Sequence, residues 1–113
     1  MYAIKVVLQP ERGASQTAQQ LCDLAYERIR REAQPGVEHV SLVPDPPLVM
    51  AMTFVMAASV AQAEQLAATA WAEWHRRGCL HGWRSTSCTA DLALGVWAAQ
   101  APFLSDGGVF GAD

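Results

Sequence analysis

Apolar and polar residues alternate along Tyr2 to Leu8, with Tyr2, Ile4, Val6 and Leu8 on one side and Ala3, Lys5 and Val7 on the other, which is the period of a β-strand. Pro10, Gly13 and Ser15 interrupt that pattern. Beyond them Ala18, Leu21, Cys22, Ala25 and Ile29 recur at helical spacing, opposed by Gln19, Asp23, Glu27, Arg30 and Arg31. Arg28, Arg30 and Arg31 fall in the last turns, where cations complement the negative end of a helix dipole, and Pro35-Gly36 ends the segment. Val37 to Val43, with Val40 and Leu42 separated by Ser41, reads as a half-buried second strand, and Pro44-Asp45-Pro46-Pro47 as a rigid turn.

Leu48 to Ala57 alternates differently. Leu48, Met50, Met52, Phe54 and Met56 share one face and Val49, Ala51, Thr53, Val55 and Ala57 the other, so neither face of this third strand is polar. A strand that is apolar on both sides is covered on both sides, whereas two helices on one side of a sheet cover only one. Ser59 with Gln62 has the pattern of a capping box, and Val60, Ala63, Ala67, Ala70, Trp71 and Trp74 then repeat at helical spacing up to Arg76, Arg77 and Gly78. One long helix from Leu48 to Arg77 is the competing reading; Thr53, Val55 and the Ser59 cap argue against it. Leu80 to Thr89 reads as a fourth, partly exposed strand. Asp91 is placed to cap a short helix containing Leu92, Leu94, Val96 and Trp97 that ends near Pro102, so one domain is expected over residues 1–104, with a flexible tail over 105–113.

Strand–helix–strand–strand–helix–strand is the order of the α+β ferredoxin-like sandwich, an antiparallel four-stranded sheet with two helices on one face, here with a C-terminal extension. That frame hosts many functions, and three of them can be tested against residues. RNA recognition needs a basic-Gly-aromatic run on the third strand, and Leu48 to Met56 contains no Gly, no basic residue and only Phe54. A metal chaperone would carry paired cysteines between the first strand and the first helix, where Gln9 to Thr17 has none. A phosphate cradle would need several glycines there, and Gly13 is accounted for by a turn.

In topology alone the chain resembles the dimeric α+β barrels, in which two such sheets pack face to face; no family motif accompanies the likeness. Such a homodimer would bury the second face of the third strand and leave room for an apolar cavity. The alternative cover is the C-terminal segment with Val96, Trp97 and Phe103 folded back over that face.

Composition narrows the partners. The chain has 113 residues, enough for one core; 51% hydrophobic and 17% charged residues are ordinary for a globular protein. A net charge of −3 and a single lysine, Lys5, leave too little clustered cation for a phosphate backbone, so nucleic acid is not an expected partner. The apolar run from Leu48 to Ala61 is shorter than the roughly 20 residues a membrane helix needs. No membrane association is expected, and the absence of an export signal at Met1 to Leu8, with three scattered cysteines, points to the cytoplasm.

Candidate chemistry is sparse. His75, Cys79, His81 and Cys88 are the only group of ligand-type residues, but their H-x3-C-x-H-x6-C spacing matches no common zinc pattern. His75 at a helix C-terminus is explained by the dipole, and Cys79 follows the same negative helix end, which opposes a thiolate. Cys22 lies on the apolar stripe of the first helix. His39 and His81 are the imidazoles that could serve as acid and base in a small cofactor-independent enzyme acting on an aromatic or polyketide-like substrate, with Met52, Phe54 and Trp83 lining its cavity. The leading expectation is instead a non-catalytic accessory or regulatory domain without cofactor. It would self-associate through its sheet and bind a protein partner or a small apolar ligand through Met50, Met52, Phe54, Met56 and Trp83.

Overall fold

The computed structural model describes residues 1–90. The short helix expected from Asp91, the C-terminal cover containing Trp97 and Phe103, and the tail lie outside the described residues. Six elements follow in the order β1 (Tyr2–Pro10), α1 (Ala18–Arg31), β2 (Val37–Asp45), β3 (Leu48–Val55), α2 (Val60–Arg76) and β4 (Trp83–Ala90). The four strands form one antiparallel sheet in the order β2-β3-β1-β4, with β3 and β1 inside. This α+β arrangement is compatible with the ferredoxin-like sandwich.

Both helices pack on one face. Ile4, Val6 and Leu8 of β1 and Val49, Ala51 and Val55 of β3 are wholly buried there. Against them α1 buries Ala18, Leu21, Cys22, Ala25 and Ile29, the residues of its predicted stripe. Helix α2 buries Ala63, Ala67, Ala70, Trp71 and Trp74. Three alanines on one face let α2 lie close to the sheet, and the two indoles fill the space at its C-terminal half, meeting edge to face with centroids 4.9 Å apart. Trp71 Nε1 donates to Thr53 Oγ1 at 2.9 Å, so the one buried polar side chain of β3 is satisfied by the largest residue of the core.

Helix starts and stops follow local chemistry. Thr17 caps α1 in a reciprocal box with Gln20, a cap the sequence analysis does not include. Ser59 caps α2 and accepts from Gln62 N; the Gln62 side chain reaches past the cap to accept from Ala58 N at 2.6 Å. Gly36, between α1 and β2, has φ +79°, and a Cβ there would come within 2.8 Å of Leu66 Cδ1.

Three boundaries differ from the sequence reading, each for a physical reason. Pro44 and Asp45 continue β2, because Pro44 sits on an edge strand where no inner ladder bond is forfeited, and the turn shrinks to the cis-linked Pro46-Pro47. Strand β3 ends at Val55, and Met56 N instead donates to Gly36 O at 2.8 Å. Strand β4 starts at Trp83, since Gly78 (φ +77°) and Gly82 (φ +87°) hold residues 78–82 in turns.

Two bulges adjust side-chain direction. In β2 the register passes from Val37↔Val55 to His39↔Phe54, so Glu38 is the extra residue and Val37 and Val40 both reach the helix side. In β4 it passes from Leu8↔Ser85 to Val7↔Ser87, leaving Thr86 as the extra residue, its hydroxyl donating to Val7 O at 3.1 Å. The Ser85-Thr86-Ser87 run thus marks an irregular, partly exposed edge.

Replacing Thr53 with Val should strand the Trp71 N–H inside the core and cost about 1–3 kcal/mol of unfolding free energy in urea titration. The double variant with Trp71→Phe should show a coupling between the two sites rather than the sum of the two losses.

Candidate functional site

The face of the sheet opposite the helices carries the residues singled out for binding. Leu48, Met50, Met52 and Phe54 project there from β3, with Ala3, Lys5 and Val7 of β1 on one side and His39, Ser41 and Val43 of β2 on the other. Among the described residues no helix crosses this face. Phe54 and Ala3, paired in register, are 8% and 1% exposed, and the His39 ring lies 5.9 Å from that of Phe54. Exposure rises away from that corner: Met50 and Met52 are half-buried, and Val43 is 54% exposed. Met56, just beyond β3, is 53% exposed. Polar groups border the ladder without dividing it, since Lys5 stands between Met52 and Thr89 in register with its cationic end in solvent.

Trp83, grouped with these residues on sequence grounds, lies on the other side of the sheet and is 2% exposed within the helix-side core. The two imidazoles do not meet. His39 is on β2 beside Phe54, which pairs with Ala3 at the start of β1; His81 precedes Trp83, which pairs with Pro10 at the end of β1. Seven residues of extended β1 separate the two ends, roughly 20 Å of strand. His81 has φ +51° and, with Trp83, leaves a buried ring N–H or nitrogen without a hydrogen-bond partner among the described residues.

The four ligand-type residues are also dispersed. His75 Nε2 faces Glu11 Oε2 at 3.5 Å, Cys79 is wholly buried in the core, and Cys88 sits half-buried on β4. Among the described residues no three His, Cys, Asp or Glu side chains converge in a way that could hold a metal ion. Burial pushes all three thiols above their usual range, aided at Cys22 by Asp23 and at Cys88 by Glu64; at Cys79 Arg28 and Arg77 oppose the effect without overcoming it.

The arginines at the helix ends form a clamp. Arg76 and Arg77 both bond Glu73 at 2.5 Å, Arg77 also pairs with Glu32, and Arg28 donates to the Arg77 carbonyl at 3.2 Å. Trp74 Nε1 closes the set by donating to Glu32 O at 2.7 Å. Bonds from Arg76 and then Arg77 hold the Glu73 carboxyl at about 2, below its ordinary 4.5. These cations are therefore spoken for within the fold and offer little to an acidic partner.

Along the outer edge of the sheet a furrow separates α1 from β2. Its larger part, about 530 Å³, is walled by Asp23, Tyr26 and Glu27 on α1 and by Val40, Ser41 and Leu42 on β2. The smaller part, about 180 Å³, continues past Tyr26 and His39 to Ile29, Ala33 and Trp74. The sequence could not reveal it, because it depends on how far α1 stands off the edge strand.

No family model, curated protein or solved structure matches the chain. The arrangement of residues alone must carry the functional reading.

Two measurements check this electrostatic picture. With Ellman's reagent at pH 8 the folded protein should react at least about tenfold more slowly than free cysteine, and unfolding in guanidinium should release all three thiols. Because the Glu73 carboxyl titrates lower when folded than when unfolded, its contribution is complete above pH 4.5 and disappears as the pH falls toward about 2. Glu73→Gln should thus lower the Tm slightly at pH 7, with the difference closing at pH 2; the effect is small because the group is on the surface.

Proposed function

We propose that this chain is a non-catalytic accessory or regulatory domain that pairs with a second copy through the helix-free face of its sheet, and that the paired faces receive a small apolar molecule. One observation carries the reading: the ladder of Leu48, Met50, Met52 and Phe54 on an inner strand, flanked by Val7 and Val43, on a face that neither helix covers. An apolar surface of this continuity is a feature of interfaces rather than of free surface.

Size supports the proposal. With strands about 4.8 Å apart and about 3.3 Å per residue, four strands of eight residues present roughly 500 Å² of flat area before side-chain relief is added. That is the scale of the roughly 800 Å² each partner gives to a stable interface. In the ferredoxin-like frame, face-to-face packing of two such sheets makes a dimeric α+β barrel. Methionines suit the lining of a shared space, since their flexible thioether side chains adapt to an irregular guest, and the small Ala3 and Ser41 beside them leave gaps.

An enzyme acting on an aromatic or polyketide-like substrate would need an acid and a base at one place, and His39 and His81 lie at opposite ends of β1.

Sedimentation equilibrium of the full chain should show a dimer at micromolar concentration. Met52→Glu, which places a carboxylate in the middle of the paired faces, should weaken association at least about 100-fold while far-UV circular dichroism stays unchanged. Native mass spectrometry should find apolar molecules retained by the dimer. A parent protein that stays monomeric at about 100 μM, a concentration at which ordinary specific interfaces are saturated, defeats the proposal.

A further inference from the structure

The outer edge of β2 is a border of the sheet distinct from its helix-free face. Strand β2 pairs only with β3, and apart from Val37 N at its start, which donates to Gln34 O at 3.2 Å, no hydrogen bond reaches its other edge among the described residues. Edge strands are commonly blunted by Pro, Lys or a bulge. Here the bulge at Glu38 and the prolines at 44 and 46 lie toward the two ends, and His39 to Val43 carries no such block. The opposite edge differs, since β4 is irregular at Thr86 and its last N–H, that of Ala90, is bonded by Glu64 at 2.9 Å.

The furrow beside this edge fits an added strand. It runs along β2 under α1, and its two parts are continuous through Tyr26, His39 and Val40. Side chains of a strand laid against β2 would alternate between two environments. Those on the helix side would enter the furrow, where Asp23 stands on the α1 wall and accepts only from Gln19 Nε2 at 3.1 Å among the described residues, whereas Glu27 beside it is bonded by Arg30 and Arg31 at 3.4 Å. Those on the other side would continue the apolar surface begun by Val43 and Met50, which are adjacent in register.

We propose that the β2 edge binds an extended peptide segment in which basic and apolar residues alternate, as a fifth strand with a basic side chain directed toward Asp23. Backbone hydrogen bonds to β2 provide the affinity, and Asp23 with the apolar sheet face sets the side-chain pattern. The surface does not depend on self-association, because the furrow lies at the edge of the sheet and on its helix side.

The test is an NMR titration of the isotopically labelled full chain with acetyl-Val-Lys-Val-Arg-Val-Lys-amide. Amide shifts should concentrate in residues 38–43 and in α1 from Gln19 to Arg30. The same peptide N-methylated at alternate residues, which cannot complete the ladder, should bind at least about tenfold more weakly, as should a version with Glu replacing each basic residue. Asp23→Lys, at an exposed position, should reproduce the loss on the protein side. The proposal is overturned if the β2 amides do not move, if the N-methylated or acidic peptide binds as well as the parent, or if the shifts fall on Met50 and Met52 instead. It is equally overturned if, in the Met52→Glu protein that does not pair through the face, protein concentration alone moves the β2 amides, because the edge is then occupied by a second copy.

Discussion

Strand β3 has a hydrogen-bonded neighbour on each side and apolar side chains above and below, and this double requirement shapes the rest of the molecule. On one side the requirement is met completely. Val49, Ala51 and Val55 lie under two helices, and Thr53, the polar exception, is matched to the indole of Trp71. Full burial of such side chains is worth about 1.5–3 kcal/mol each. On the other side, cover is complete only at the corner where Phe54 meets Ala3, and it thins toward Met50 and Val43. The proposed pairing answers that asymmetry, because an apolar face on an inner strand is unfavourable in contact with water.

Helix placement is over-determined by comparison. Each helix has an N-cap, α1 with a full reciprocal box, and their C-terminal ends are tied together by Glu32, Glu73, Arg77 and the Trp74 indole. Surface ion pairs of this kind add little stability singly. Their value here is geometric, since they tie α1 to α2 at the C-terminal ends, while the furrow runs along the side of α1 that faces β2.

The elements were legible in the sequence because their patterns are local. The stripe of α1 is the set Ala18, Leu21, Cys22, Ala25 and Ile29 in both readings, and the two-sided apolar character of β3 is plain from Leu48 to Val55. What escaped depends on pairing between distant segments. Trp83 looks like a candidate ligand residue in isolation, and only its register opposite Pro10 turns it toward the helices. His39 and His81 are 42 positions apart in the chain, so their separation along β1 could not be read before the strand order was known. The bulges at Glu38 and Thr86 shift side-chain parity and leave no local mark.

The face and the edge draw on different physics, which makes them separable. Association through the face is a matter of apolar area, so it should depend weakly on salt and strongly on side chains such as Met52. The recognition proposed at the edge of β2 rests on backbone hydrogen bonds in one line and on Asp23 beside it, so it should weaken with salt and tolerate changes on the face. The two surfaces meet along Val43, where the apolar ladder reaches the outer strand. A strand added there would lengthen the apolar face by one row and, in a face-to-face pair, enlarge the area buried between copies. Occupation of the edge and pairing of the faces would then reinforce each other, and binding linkage requires that each strengthen the other by the same factor.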